Sequence, residues 1–147
     1  MTGWDLFAVT AVSLFFKHVL TVTVQGISRF RSRRFRHAED AKLVNGEAGD
    51  TPLAERAQHL IRNSLENEPI FLAILFGFLA VNTNSEFQVF ATDARAAIPY
   101  AATFLGARVV HALLMLFRVA GVRTLAYAVG LFATLGLAAQ ILMDVYG

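Results

Sequence analysis

Polar residues with the spacing of a helix face interrupt three hydrophobic stretches of the sequence. Arg62 and Glu66 are four residues apart, so a helix places them on one face, with Asn63 beside them. A charge near the centre of a membrane helix costs about 2.5–3.5 kcal/mol on insertion scales, so such residues generally face protein or water. Two further groups have the same character, Arg108 with His111, and Arg123 with Thr124 and Tyr127.

The positive charge of these groups indicates what they could bind. Arg62, Arg108 and Arg123 come from three stretches at similar depth, and Glu66 is the one carboxylate expected near them. An anion-binding cavity is the simplest physical reason for the surplus, and a ligand with two carboxylates and one amine would suit it. The alternative is that these residues form interhelical salt bridges, with Lys17 expected to pair with Glu66.

Composition favours a membrane protein that lacks a thiol of its own. Hydrophobic residues make up 56% of the chain and charged residues 16%, against about 25% charged in soluble domains. Cysteine is absent, so there is no disulfide framework, and thiol chemistry would need a borrowed thiol. The net charge of +2 gives no support for nucleic-acid binding. No metal site is expected, because no ligand spacing such as HExxH joins His18, His37, His59 and His111.

Hydropathy predicts one all-α domain over residues 1–147, an integral membrane four-helix bundle. The spans are expected at about residues 4–27, 64–81, 96–117 and 125–145, each near the roughly 20 residues that cross a bilayer core. Helices are expected because lipid leaves backbone groups no other partner within the segment. The N-terminus lacks a basic region and a cleavage site, so we expect a retained helix and no signal peptide.

Basic residues crowd the first and third loops. Five arginines lie between Arg29 and Arg36, and the short third loop is RVAGVR, so both loops are predicted to be cytoplasmic and both termini outward. The cluster also attracts anionic headgroups, by about 1 kcal/mol per charge near the surface. Thr51 is predicted to cap the second helix, with Pro52 at its first position and Glu55 in its first turn.

Several segments together resemble a known family. The stretch ERAQHLIRNSLENEPIF (residues 55–71) resembles the second-helix signature ER-x(6)-N-x-x-E of the MAPEG family, the membrane-associated proteins of eicosanoid and glutathione metabolism. It looks especially like the microsomal glutathione transferase and prostaglandin E synthase branch. FLGARVVHALLMLF and VRTLAYAVG resemble that branch's third and fourth helices, and AEDA its first loop. The resemblance covers nearly the whole chain in order.

The resemblance implies a homotrimer of four-helix protomers, with glutathione bound between neighbouring protomers near the cytoplasmic side. The residues that would contact glutathione are Arg29, Arg62, Asn63, Glu66, His111, Arg123, Thr124 and Tyr127. Arg29 and Arg62 would take carboxylates, and Asn63 and Glu66 would help to hold the γ-glutamyl end. Arg123 and Thr124 would lie nearest the thiol. Asp40 matches a first-loop aspartate that would assist the chemistry, and Arg108 matches a third-helix arginine that would be either structural or at the edge of the site.

The sequence also departs from the synthase pattern. His59 stands where the synthase has an arginine, Pro69 where it has an aromatic residue, and Met115 where it has a tyrosine. Thr124 replaces a serine, which keeps the hydroxyl group and adds a methyl group. These differences do not support prostaglandin isomerisation.

The expected function is therefore that of a detoxifying glutathione transferase in a bacterial inner membrane, with peroxide reduction as a second activity. Arg123 and Thr124 would stabilise the thiolate, and a lipophilic electrophile would enter between the first and fourth helices of adjacent protomers. The alternative is a non-catalytic, MAPEG-like membrane scaffold that binds a lipid or a partner protein. Retention of Arg123, Thr124 and Tyr127 as a set favours the enzyme.

Overall fold

Four long helices make up most of the computed structural model, which describes residues 2–82 and 95–146. In chain order the elements are α1 (Gly3–Ser32), β1 (Arg34–Phe35), α2 (Ala38–Leu43), β2 (Glu47–Ala48), α3 (Pro52–Val81), α4 (Ile98–Leu116) and α5 (Val122–Tyr146). Within the described ranges, α1, α3, α4 and α5 are each long and apolar enough to cross a membrane. The predicted four-helix membrane bundle is confirmed, and the protein is an integral, multi-pass membrane protein. Residues 83–94, most of the loop predicted to face outward, lie outside the described ranges.

Local capping explains where the first two long helices begin. Thr2 and Asp5 form a reciprocal capping box at the start of α1. The hydroxyl oxygen of Thr51 accepts a hydrogen bond from the backbone N–H of Ala54 at 3.1 Å, and Pro52 occupies the first turn of α3, as predicted. Hydropathy placed the second span near residue 64, so α3 is longer than that span at its polar end.

The loop between α1 and α3 contains regular structure that the sequence analysis did not predict. Strands β1 and β2 pair in parallel over two residues, and α2 lies between them. Gly46 makes this arrangement possible, because a Cβ atom there would lie 2.1 Å from the carbonyl oxygen of Arg33. The AEDA segment opens α2, where Asp40 is exposed.

The hydrophobic core of the bundle contains stacked aromatic rings, and its outer surface is apolar as well. Phe71 of α3 stacks on Phe104 of α4, with ring centroids 3.8 Å apart and planes within 3° of parallel. Leu75, Phe78 and Leu137 are buried around this pair. Large apolar side chains point outward as well, as expected for a surface in contact with lipid tails. Examples between 62% and 70% exposed are Phe15, Leu20, Leu125 and Phe132.

Candidate functional site

A cavity of about 340 Å³ lies where α3 meets the junction of α4 and α5. It brings together five residues that the sequence analysis assigned to the site, namely Asn63, His111, Arg123, Thr124 and Tyr127. His59, Leu60 and Met115 complete its lining. The glutathione contacts assigned to the five residues stay predictions.

A tight turn between α4 and α5 builds this cavity. Arg118 and Gly121 have positive φ angles of 65° and 79°, which reverse the chain within a few residues. The last turns of α4, with His111 and Met115, therefore lie beside the first turns of α5, with Arg123 at its start. The cavity consequently adjoins the N-terminal end of α5, where the helix dipole favours negative charge.

The imidazole of His111 is fixed by the backbone of α5. Its Nδ1 lies 3.2 Å from the carbonyl oxygen of Arg123, and its ring lies 6.1 Å from the ring of Tyr127. A carbonyl oxygen only accepts hydrogen bonds, so Nδ1 is the donor in this contact. The contact orients the ring at the wall of the cavity.

The guanidinium of Arg123 makes an unusual contact with sulfur. Its Nη1 donates to the thioether sulfur of Met115 at 3.0 Å, and a thioether is a weak acceptor. Across the described part of the chain, no carboxylate forms an ion pair with Arg123. A partly buried positive charge in the cavity is therefore left with a neutral sulfur as its side-chain partner.

A buried polar chain connects the cavity to the centre of the bundle. The oxygen Oδ1 of Asn63 accepts a hydrogen bond from Nη2 of Arg108 at 2.6 Å. The Nε of Arg108 lies 3.5 Å from the carboxylate of Glu68, which also pairs with Lys17. Lys17 in turn donates to the hydroxyl group of Ser64 at 2.7 Å. Three helices, α1, α3 and α4, are tied together at the base of the site.

The predicted pairing of Lys17 with Glu66 is therefore wrong, because the partner is Glu68. Residues two apart on a helix differ by about 200° in direction, so Glu66 points away from the face of α3 that meets α1. Glu66 instead accepts a hydrogen bond from Nε of Arg62 at 3.1 Å, and these two side chains are 59% and 80% exposed. Neither residue lines the cavity that Asn63 lines.

Arg62 borders a second, larger cleft beside the first cavity. This cleft has a volume of about 500 Å³ and is lined by Arg36, Asp50, Glu55, Gln58, His59 and Arg62. His59 borders both spaces, so the exposed Arg62 stands next to the cavity but outside it. Asp40 lies apart from both on α2.

Arg29 already holds a carboxylate of its own chain. Its Nε and Nη2 donate to the two oxygens of Asp50 at 2.6 and 2.8 Å, a bidentate pair that joins the end of α1 to the segment before α3. Hydrogen bonding from Arg29 lowers the pKa of Asp50 below its ordinary value of 3.8. Ser28 and Thr51 lie 2.6 Å apart at the same junction.

The prediction that Glu66 is the one carboxylate near the arginines is thus also wrong, since Glu68 and Asp50 were missed. Glu68 could have been found from its spacing of four residues from Ser64, which places both on the helix face that Lys17 meets. No comparable signal identified Asp50, because its contact depends on how the loop folds back. Arg29 and Arg108 each lie near one of these carboxylates, whereas Arg123 lines the cavity and pairs with no carboxylate among the described residues.

Comparison with known proteins agrees with the resemblance seen in the sequence. The model of the MAPEG family matches residues 7–143, a range that includes every residue lining the cavity. No curated protein matches the chain.

Proposed function

This chain belongs to the MAPEG family, and we propose that it is a membrane-bound glutathione transferase of the microsomal type. Its cavity would bind glutathione and stabilise the thiolate, which attacks a lipophilic electrophile. The observation that carries this proposal is the Arg123 guanidinium, which donates to sulfur inside the cavity and has no carboxylate partner among the described residues.

The positive charge of Arg123 is sufficient to stabilise a thiolate. A free cysteine-type thiol has a pKa near 8.5, and lowering it by about two units requires roughly 2.7 kcal/mol. A hydrogen bond to a charged group contributes about 1.5–3 kcal/mol, and a charge at a helix N-terminus about 0.3–1 kcal/mol. Arg123 and the start of α5 can therefore supply most of the required free energy, and the hydroxyl group of Thr124 offers another donor.

The Met115 contact supports the same role. A thiolate carries a full negative charge, so it is a stronger acceptor for Arg123 than the neutral thioether. Glutathione sulfur would replace Met115 as the partner of Nη1, without first breaking an ion pair. An arginine paired with a carboxylate would have to give up that ion pair before it could bind the thiolate.

The proposed reaction is a displacement. The thiolate sulfur forms a bond to the electrophilic carbon, the leaving group departs with its bonding electron pair, and the thiol proton passes to solvent. Peroxide reduction is the second activity that we propose. Two glutathione molecules are oxidised to the disulfide, while the peroxide is reduced to an alcohol and water.

The remaining glutathione contacts would come from the rim and from a neighbouring protomer of a homotrimer. Asn63 and Tyr127 line the cavity, while Arg62 and Glu66 stand beside it on α3. Arg29 would have to exchange Asp50 for a glutathione carboxylate.

We place the cavity on the cytoplasmic side of a bacterial inner membrane and the entry of the electrophile between α1 and α5 of adjacent protomers. Asp40 would assist the chemistry from the first loop.

Conjugation of a chlorodinitrobenzene-type electrophile in detergent tests this proposal. Arg123→Ala should lower kcat by about 10²–10³-fold, the usual effect of removing one donor to a developing negative charge. Arg62→Ala should mainly weaken glutathione binding. Arg34→Ala is the matched control, because Arg34 pairs with Glu47 on the exposed loop, away from the cavity.

The outcomes separate the enzyme from a scaffold. Saturable turnover that collapses in Arg123→Ala and persists in Arg34→Ala would support the transferase. Folded, trimeric wild-type protein with neither glutathione binding nor turnover would contradict it and favour the non-catalytic scaffold. Binding without turnover would retain the glutathione site and show that the chosen electrophile is wrong.

A further inference from the structure

We infer that His111 accepts the proton of the bound thiol through its Nε2 nitrogen, an inference that rests on the proposed function. The hydrogen bond from Nδ1 to the Arg123 carbonyl oxygen places the ring proton on Nδ1. In the neutral imidazole, the other nitrogen then carries the lone pair. The backbone of α5 therefore selects the tautomer in which Nε2 is a proton acceptor.

The lone pair of Nε2 is open to the cavity. Within the described part of the chain, Nε2 of His111 makes no hydrogen bond. It is nevertheless not one of the buried side-chain atoms that lack a partner, which belong to Arg56 and Arg108 among the described residues. Nε2 is therefore unpaired and not buried. Because His111 lines the cavity, the unbonded Nε2 is accessible from that space.

The neighbouring donors make Nε2 distinctive in this site. Arg123 and Arg108 can only donate hydrogen bonds. The Oδ1 of Asn63 already accepts a hydrogen bond from Arg108, and an amide oxygen is a much weaker base than a neutral imidazole nitrogen. The site thus combines donors that stabilise a thiolate with an imidazole nitrogen that can remove the proton.

The charges around His111 determine where the proton goes next. Cations surround the ring on several elements, with Arg108 on α4, Arg123 on α5 and Lys17 on α1. Glu68 on α3 is the carboxylate that Arg108 and Lys17 share, and Tyr127 and His59 are the other titratable residues lining the cavity. An imidazolium at this position is repelled by the three cations, so it passes its proton on to water in the cavity.

Proton transfer from the thiol to His111 requires no other reactant. The S–H bond breaks and its electron pair stays on sulfur, while the proton forms the N–H bond at Nε2. The thiolate is then held by Arg123 and attacks the electrophile. The imidazolium then releases the proton from Nε2 to water. The same tautomer is regenerated, because Nδ1 keeps its hydrogen bond throughout.

The rate of thiolate formation separates proton transfer from thiolate stabilisation. We would mix the purified, full-length protein with glutathione in a stopped-flow instrument and follow the ultraviolet absorbance of the thiolate. His111→Gln keeps an amide donor for the Arg123 carbonyl and removes the base. We expect the rate to fall by about 10²-fold or more, while the glutathione Kd and the final thiolate fraction change by less than about threefold.

Two further variants sharpen the result. His111→Ala removes the ring, so added imidazole should restore fast thiolate formation in that variant. His18→Gln is the matched control, because His18 lines a separate groove between α1 and α3 and should keep the wild-type rate.

An unchanged rate in His111→Gln, with normal thiolate formation in the wild type, would overturn this inference alone. Suppose that thiolate formation is slow, that imidazole does not restore it in His111→Ala, and that glutathione binds more weakly. His111 then has a structural role, and this result would also overturn the inference. A folded wild-type protein that forms no bound thiolate would overturn the proposed function as well. The two failures are therefore distinguishable.

Discussion

The ammonium group of Lys17 on α1 forms an ion pair with the carboxylate of Glu68 on α3, and both side chains are more than nine-tenths buried. The same carboxylate lies 3.5 Å from Nε of Arg108 on α4. Two buried cations therefore share one anion, with the hydroxyl group of Ser64 as an additional acceptor for Lys17. Removing the shared anion leaves more uncompensated charge than removing either cation.

Glu68→Ala should therefore destabilise the bundle more than Lys17→Ala. Breaking a buried pair by removing one partner costs about 3–5 kcal/mol. Glu68→Ala should lie at the upper end of that range because Lys17 and Arg108 both lose their partner, whereas Lys17→Ala leaves Glu68 with Arg108. Reversible unfolding of the protein in detergent would measure both changes in the free energy of unfolding.

Glu66→Ala is the control for this comparison. Its exposed pair with Arg62 should contribute only about 0–1 kcal/mol. The double variant Lys17→Met/Glu68→Leu should recover part of the loss, because it removes charge from both sides of the pair. Equal stability of Glu68→Ala and Glu66→Ala would contradict the assignment of Glu68 as the shared anion.

Much of the bundle could be predicted because long apolar stretches have few alternatives to a helix in lipid. The start of α3 at Pro52 was foreseen from its cap, although hydropathy alone began the span near residue 64. The β1–β2 pairing was missed because two-residue strands leave no periodic pattern. Their formation depends on the close approach of Gly46 to Arg33, which is a tertiary contact.

The Arg29–Asp50 pair predicts a dependence of stability on pH. The pKa of Asp50 is lowered in the folded protein by the hydrogen bonds from Arg29, so the unfolded chain binds this proton more readily. The stabilisation is fully present above the ordinary value of 3.8 and is lost as the pH falls below it, through the folded pKa. We expect the melting temperature of the wild type to fall towards that of Asp50→Asn in this acidic range.

Glu47→Gln is the matched control for the pH experiment. Glu47 also pairs with an arginine of the same loop region, Arg34, but that pair is 50% to 73% exposed. Its loss should change stability by about 0–1 kcal/mol. If the difference in melting temperature between the wild type and Asp50→Asn stays constant as the pH falls through the acidic range, the role assigned to Asp50 is contradicted.

The site was predicted less completely than the fold, and for a geometric reason. Spacing along one helix correctly grouped Arg123, Thr124 and Tyr127, which share a cavity. Spacing cannot show which faces of two helices meet, so Glu68 was overlooked and Lys17 was paired with Glu66. Arg123 lines the cavity and pairs with no carboxylate among the described residues, and the anionic ligand expected there stays a prediction.

Gly136 should be intolerant of a side chain. A Cβ atom there would lie 2.6 Å from Cε1 of Tyr100, so Gly136→Ala forces the ring of Tyr100 or the helix to move. Overpacking of this kind costs about 1–3 kcal/mol, which a lowered melting temperature in detergent would show. Gly26→Ala is the control, since nothing lies within 4 Å of its added Cβ. That change in a helix should stabilise by about 0.5–1 kcal/mol, and equal destabilisation of both variants would contradict the packing argument.

Arg108→Lys tests whether the buried chain orients Asn63 for the ligand. Lysine keeps a positive charge near Glu68 but lacks the planar fork with which Arg108 contacts Glu68 and Asn63 together. The amide of Asn63 would lose the hydrogen bond that fixes the position of its oxygen. We expect glutathione to bind about tenfold more weakly, a change of about 1.4 kcal/mol, in isothermal titration calorimetry. The kcat at saturating glutathione should change little, because Arg123 is untouched.

A double-mutant cycle with Asn63→Ala decides whether the loss of affinity passes through Asn63. If Arg108 acts by holding that amide, Arg108→Lys should cost almost nothing once Asn63 is alanine, so the two losses will not add. Fully additive losses would mean that Arg108 affects the ligand by another route, such as its charge. Such a result would contradict the orienting role assigned to the 2.6 Å hydrogen bond between Arg108 and Asn63.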